Sequence, residues 1–221
     1  CGISLLFERG VRKLKMRSNQ TNGLLITFCG LDGCGKTTMI QHLVSDLETQ
    51  HIEVFLTKQP TDFVRKSDIF RTYMDSPDHN AFDYRSLSLL AASDRVQHSN
   101  RIIEPEMKDG NIVISDRYFY SCLANLRARG FEKDKWIYEI AESIVKPDIA
   151  FFLDVPVETA IKRVRNRIAE KDRYIDMELQ YRLREEYIKI CRANGGVLIS
   201  TEDPEEQCYS IIKQTVERIG Y

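Results

Sequence analysis

No apolar run in this 221-residue chain approaches the ~20 residues that span a bilayer, and nothing resembles a cleavable leader, so a membrane or secreted destination has no support. The six cysteines (Cys1, Cys29, Cys34, Cys122, Cys191 and Cys208) form no C-x-x-C pair and the four histidines are scattered, which suggests neither a zinc site nor a disulfide framework. Charge of one sign is missing as well. With 32 Lys and Arg against 33 Asp and Glu, a net charge of −1 gives no general field to hold nucleic acid, and any anion must be gripped by a local cluster. These absences predict a reducing, cytoplasmic setting without membrane or nucleic-acid partners, and they favour a small phosphorylated ligand. What the chain does have is apolar material, 43% of its residues, enough for one sizeable α/β core.

The strongest positive signal is Gly30-Leu31-Asp32-Gly33-Cys34-Gly35-Lys36-Thr37, which fits the G-x-x-x-x-G-K-[ST] phosphate-binding pattern in full. Leu24 to Phe28 precede it as a buried-strand run and Thr37 to Gln50 follow with helical spacing, the strand-turn-helix context that the pattern requires. Its glycines let the backbone curl until N–H groups converge on a phosphate, and the helix starting there adds the positive end of its dipole. Lys36 is expected as an exposed group on the β- and γ-phosphates, with the Thr37 hydroxyl as a Mg²⁺ ligand. Cys34, near a helix N-terminus, reads as a residue small enough to pack in the loop, with a reactive thiol as the alternative.

Arg9, Arg12, Lys13, Lys15 and Arg17 crowd a segment with no sustained apolar period. Residues 1–22 are therefore expected to lie outside the domain, as a basic targeting arm or as an unstructured, non-native extension ahead of a start at Met16. Residues 23–221 read as one domain. Apolar β-runs at 24–28, 52–57, 112–115, 149–154 and 197–200 alternate with helical spacing at 37–50, 83–107 (bent at Pro105), 118–128, 134–145, 157–167, 176–193 and 204–219. Phe63, Ile69, Phe70, Tyr73 and Met74 form the apolar side of a further helix, 76–80 is a loop, and the last helix opens on Asp203 as cap. This alternation predicts a three-layer, doubly wound α/β sheet of about five parallel strands with helices on both faces.

The run 112–115 ends in Asp116-Arg117-Tyr118. Parallel sheets bind ligands at the carboxyl ends of their strands, so Asp116 becomes a second Mg²⁺ group, acting through water, and Arg117 a fork for a phosphate. Lys162, Arg163, Arg165, Arg167, Lys171 and Arg173 face only Glu170 and Asp172 across 162–173. Phosphoryl transfer relies on positioning and charge neutralisation, so arginines closing over the phosphates are an expected device; a solvated helix face is the plain alternative. The spacing puts Arg163 and Arg167 on one face and turns Arg165 away. Arg95, on the long helix, reads by pattern alone as a surface residue.

Taken together, these residues resemble the thymidylate kinase family of P-loop nucleoside monophosphate kinases over about residues 22–220. The resemblance rests on the loop from Phe28 to Thr38, Leu90-Ala91-Ala92-Ser93-Asp94-Arg95, Asp116-Arg117-Tyr118, Pro147-Asp148 before Phe152-Leu153-Asp154-Val155, and Asp172-Arg173-Tyr174. It implies phosphoryl transfer from Mg-ATP to the 5′-phosphate of dTMP, giving dTDP and ADP, in deoxynucleotide biosynthesis by a homodimer. The loop then becomes an ATP site made by Gly30, Asp32, Gly33, Cys34, Gly35, Lys36, Thr37 and Thr38. Asp32 would contact the acceptor sugar, Arg95 the base and Arg117 the acceptor phosphate, with Tyr118, Ser121, Asn125 and Tyr174 around them. Gly33 stands where some members carry a catalytic arginine, so the chain resembles those with a lid, here about 163–174. Arg163, Arg165, Arg167 and Arg173 would then join Lys36 and Arg117 in catalysis.

Several positions depart from the family pattern. Cys29 replaces a frequent acidic residue, and Lys58-Gln59-Pro60 replaces Arg-Glu-Pro. Ala91 stands where an aromatic stacks on thymine, and Asn125 where an aromatic crowds the 2′ carbon of the sugar; Phe63, Phe82 or Tyr118 could reach in instead. A regulatory GTPase would need an Asn-Lys-x-Asp guanine reader, which is missing. A nucleoside kinase would need a general base near the end of the second strand, where Gln59 cannot take a proton. A kinase for another monophosphate and a non-catalytic nucleotide-binding regulator stay open.

Overall fold

The computed structural model of the protein describes residues 11–75 and 81–220. The expected loop at 76–80 and the first ten residues of the expected extension lie outside them. Five strands, β1 (Leu24–Cys29), β2 (Val54–Lys58), β3 (Ile112–Asp116), β4 (Ile149–Asp154) and β5 (Val197–Ser200), form one parallel sheet in the order β2-β3-β1-β4-β5. β1 is buried from Leu25 onward and β3 from Ile112 to Ser115, the continuous burial of strands covered on both faces. At the edges, Leu56 of β2 and Leu198 of β5 are exposed. After β3 the chain crosses β1 to reach β4 and builds the other half of the sheet, which puts the carboxyl ends of β1 and β3 at the switch point. The register aligns Phe28 and Lys58 with Asp116, so Asp116 stands midway along that edge.

Ten α-helices lie among the described residues: α1 (Lys36–Thr49), α2 (Asp62–Arg65), α3 (Asp68–Asp75), α4 (Tyr84–His98), α5 (Glu104–Lys108), α6 (Phe119–Ala128), α7 (Trp136–Ala141), α8 (Val157–Arg165), α9 (Met177–Asn194) and α10 (Glu205–Glu217). Their starts are encoded locally. Asp83 accepts from the Arg85 N–H at 2.7 Å to cap α4, and Asp176 accepts from Leu179 at 3.0 Å to cap α9. α1 and α10 pack together in one layer; α4, α6 and α9 pack in the other. Among the described residues no helix is long and apolar enough to cross a membrane.

Four expectations shift. The long helix expected over 83–107 is α4 and α5 joined by a π-helical turn, Ser99–Ile103, so the irregularity precedes Pro105, which sits harmlessly in the first turn of α5. The helix expected over 134–145 ends at Ala141, because the main chain at Ile144 and Lys146 is taken by Arg17. The last helix starts one residue later than expected, with Pro204 rather than Asp203 at its cap position. The expected boundary at residue 22 also differs. Leu14 is buried in the main core and its N–H donates to Asn194 Oδ1 at 2.9 Å, while Arg17 bridges Val145 and pairs with Glu104 at 2.7 Å. From Leu14 on, the segment is held to the domain by one buried leucine and by polar pairing, which leaves no period in the sequence.

Candidate active site

The loop from Gly30 to Lys36 turns from the end of β1 into α1, and its three glycines all have φ in the left-handed region; at Gly30 a Cβ would also stand 2.4 Å from the Leu153 carbonyl oxygen. Gly33 has φ 83°, and a Cβ there would stand 2.2 Å from the Ala160 carbonyl oxygen of α8. A loop arginine therefore cannot be seated at this position without displacing α8. Gly35, with φ 96°, starts α1 in the left-handed region and supplies no side-chain cap, so the first N–H groups of the helix stay available to an anion. Thr201 donates to the Cys34 carbonyl at 2.9 Å, and Arg163 donates to the Thr201 carbonyl at 2.9 Å and to that of Gly33 at 3.4 Å, bracing the loop from behind. Cys34 is fully buried, as its packing role requires.

Lys36 differs from the expected exposed group. It is buried, and its Nζ donates to the carbonyls of Leu31 at 2.8 Å and Gly30 at 3.2 Å, because the loop wraps around its own lysine. Thr37 is exposed on the first turn of α1, and Thr38 is half-buried beside it.

At the end of β3, Arg117 adopts φ 71° and throws its side chain back over the loop. Its Nη2 donates to Asp32 Oδ1 at 2.5 Å, and its Nη1 to the Gly30 carbonyl at 3.1 Å and the Tyr187 hydroxyl at 3.0 Å. Arg173 donates to the other Asp32 oxygen at 3.1 Å and to Glu170 at 3.0 Å. Burial alone would raise the Asp32 carboxyl, but Arg117, Lys36 and Arg173 outweigh it and hold the group well below the usual carboxylate range. Asp116 pairs through Oδ2 with Lys58 at 3.2 Å, while its buried Oδ1 has no hydrogen-bond partner. Among the described residues no group of three His, Cys, Asp or Glu could hold a metal unaided. Cys29, in place of an acidic residue, is fully buried, and burial pushes its thiol up to about 12.

Beside the loop opens a cleft of about 710 Å³, within the range of small-molecule sites. Of the residues expected at the site, Asp32, Arg95, Arg117, Ser121, Asn125, Arg167, Arg173 and Tyr174 line it together. Lys58, Arg65, Arg71, Arg95, Arg117, Arg129, Arg167 and Arg173 outnumber its carboxylates, Asp32, Glu170, Asp172 and Asp176, so a chain that is neutral overall is basic here. Gln59 does not reach the cleft; it is buried, with its Nε2 3.0 Å from His98 Nδ1.

Other expected residues fall elsewhere. Tyr118 is sealed in the core, its hydroxyl donating to the Val145 carbonyl at 2.7 Å and lying 2.9 Å from Ser99, so it supports the fold and not an acceptor. Phe63 is 69% exposed and Phe82 also faces solvent, and neither lines the cleft. Arg163 and Arg167 do not share a face: α8 ends at Arg165, Arg167 is extended, and only Arg167 and Arg173 of the four lid arginines reach the cleft. Arg165 donates to the Lys171 carbonyl at 2.5 Å and so ties the lid to itself. Arg95 is buried rather than superficial, with Nη1 donating to the Ala91 carbonyl at 3.0 Å.

Pattern reasoning missed Arg65, whose Nε donates to the Pro60 carbonyl at 2.8 Å, and the cluster of Phe70, Tyr73, Tyr84 and Arg129. Helical spacing had grouped Phe70 with Tyr73, but periodicity cannot separate a cleft wall from a core.

A family model described as thymidylate kinase matches residues 28–212. A probable thymidylate kinase of Thermococcus kodakarensis is 38% identical over 76% of this chain and 83% of its own length. One of Pyrococcus horikoshii is 37% identical over 86% and 96%. A thymidylate kinase of Prochlorococcus marinus is 32% identical over 89% and 97%.

Proposed function

Because the chain belongs to the thymidylate kinase family of ATP-dependent phosphotransferases, we propose that it transfers the terminal phosphoryl group of ATP to the 5′-phosphate of dTMP, giving ADP and dTDP. The observation that carries this reading is a shared wall: Asp32 and Arg117 belong at once to the phosphate loop and to the basic cleft. A donor held by the loop and an acceptor held in the cleft would meet there, which is the positioning that phosphoryl transfer needs.

In this reading the loop N–H groups and Lys36 hold the β- and γ-phosphates. Arg117 and Arg65 hold the acceptor phosphate, Arg95 faces the base, and Asp32 keeps the two arginines of its pair in place until the sugar arrives. Arg173 approaches the transferring group from the lid and neutralises charge there, while Arg163 and Arg165 fix loop and lid backbone. Mg²⁺, when bound, supplies further neutralisation of the phosphates. The exposed Thr37 hydroxyl and the unpaired Asp116 Oδ1 are hard oxygen donors that fit it, Asp116 through water. The acceptor phosphate already presents an anionic oxygen, so the lack of a base at Gln59 costs nothing.

A related kinase with a different acceptor is the second reading, and Ala91 at the cleft wall favours it. A coupled ADP-release assay against deoxy- and ribonucleoside monophosphates decides between them: turnover led by dTMP supports the first reading, turnover of another monophosphate alone the second. No ADP release with any acceptor would leave a nucleotide-binding regulator. The family resemblance also implies a cytoplasmic homodimer, which sedimentation at working concentration would test.

A further inference from the structure

Ala91 carries no ring, yet the cleft that it lines contains a flat, firmly held cation. Arg129, just past α6, places its guanidinium carbon 4.1 Å from the Tyr84 ring centroid and 5.6 Å from that of Tyr73. Its Nη1 donates to the Asn125 side-chain Oδ1 at 2.8 Å and to the Asn125 carbonyl at 3.2 Å. Asn125 is fixed in turn, donating through Nδ2 to the Ser121 carbonyl at 2.9 Å. Behind Tyr84 lies Phe131, its ring 6.2 Å away and inclined by 17°. The guanidinium is thus supported by an aromatic column and gripped along one edge, and Arg129, Tyr84, Tyr73, Asn125 and Ala91 all line the same cleft.

A guanidinium fixed in this way is planar, delocalised and weakly hydrated, and nucleobases stack on such planes as they do on aromatic rings. The loop end of the cleft has its own cations for phosphate in Arg117, Arg65 and Arg173. We propose that the Arg129 guanidinium is the stacking surface for the base of the acceptor nucleotide, with Asn125 and Tyr84 as positioning residues that hold its plane. This deepens the reading of the cleft as a nucleoside monophosphate site and rests on it. The amide of Asn125 then acts on the base through Arg129.

The test compares calorimetric dissociation constants for dTMP and for 2-deoxyribose 5-phosphate, since their ratio isolates the base. Arg129→Ala should shrink that ratio on the order of 5- to 150-fold, the range of one base-stacking contact, and leave the sugar phosphate unaffected. Arg129→Lys, which keeps the charge but loses the plane, should shrink it nearly as much, and Asn125→Ala should shrink it less. Circular dichroism checks the fold; if Arg129→Ala does not fold, Arg129→Lys and Asn125→Ala decide by the same ratio. The proposal is overturned if the wild type shows no preference for dTMP over the sugar phosphate, if Arg129→Lys behaves as wild type, or if Arg129→Ala weakens both ligands equally. Loss of the ratio in Phe70→Ala but not in Arg129→Ala would also overturn it, by giving the role to Phe70. Failure of the kinase reading is distinguishable: wild type would then release no ADP with any monophosphate, whatever the ratio does.

Discussion

Around the phosphate loop, side chains from five separate stretches of chain hold the backbone and Asp32: Lys36 from within, Arg117 from the end of β3, Arg163 from α8, Arg173 from the lid and Thr201 from beyond β5. The far wall of the cleft is built differently. There α3, α4 and the end of α6 contribute large rings and long cations, with Arg129, just past α6, held by an amide of that helix and by neighbouring rings. A site that must stabilise one charge distribution gains from parts that do not move, whereas a wall that must recognise a base gains from surfaces of the right shape. Substitutions at the loop end should therefore act on kcat and those at the base end on KM.

The sharpest way to break that contrast is Lys36→Ala. Loss of one preorganised charge contact should cost about 3–4 kcal/mol, or roughly 10²–10³ in kcat, with the circular dichroism spectrum retained. Near-normal turnover in a folded variant would remove the loop from catalysis. A smaller effect separates the lid arginines. Arg173→Ala should lower kcat on the order of tenfold or more with little change in ATP affinity, because Arg173 reaches Asp32, whereas Arg167→Ala should change kcat less, since Arg167 pairs with Glu170, at 3.6 Å, and not with Asp32. Equal kcat in both variants and wild type would reduce the basic run to a solvated surface.

At the base end, wild-type selection among monophosphates should be loose, and Asn125→Phe should sharpen it. A ring in place of the amide crowds the 2′ position, so the kcat/KM ratio of dTMP over UMP should rise between about tenfold and a hundredfold. The same change frees Arg129, so absolute affinity for dTMP should fall at once; a wild-type preference for dTMP of several thousandfold would show that the wall already excludes the hydroxyl. The smallest effect concerns pH. Burial holds His98 below its ordinary value against the opposing pull of Asp94, so the unfolded chain binds this proton more readily than the folded one. Stability should fall as pH drops below about 6.5, and His98→Gln should flatten that loss in denaturant titrations at pH 7 and pH 5.

How legible each half was in the sequence follows from the same contrast. The loop, β1, β3 and the Asp116-Arg117 pair are local signals in which a few consecutive residues dictate backbone and chemistry, and they could be read directly. Arg95 reads as a surface residue by pattern, and only the family resemblance pointed inward, since burial of a charged residue on α4 depends on what packs beside it. The Arg129 column joins residues from α3, α4 and the turn after α6, and no spacing rule relates them. The docking of residues 14–19 was likewise invisible, because it rests on one buried leucine and on scattered polar contacts to Asn194, Ile144, Glu104 and Asp148 rather than on an apolar period.

Arg117 is one of two non-glycine residues, with His51, that adopt left-handed backbone among the described residues. Such a conformation costs about 1–2 kcal/mol for a side chain with a Cβ, and glycine would adopt it freely. Selection for stability alone would thus drift toward glycine at this position, and selection for turnover would hold arginine against that drift. A deep mutational scan scored once for protein abundance and once for activity should rank the two residues in opposite order there. That inversion would mark position 117 as the place where the protein gives up robustness for its chemistry.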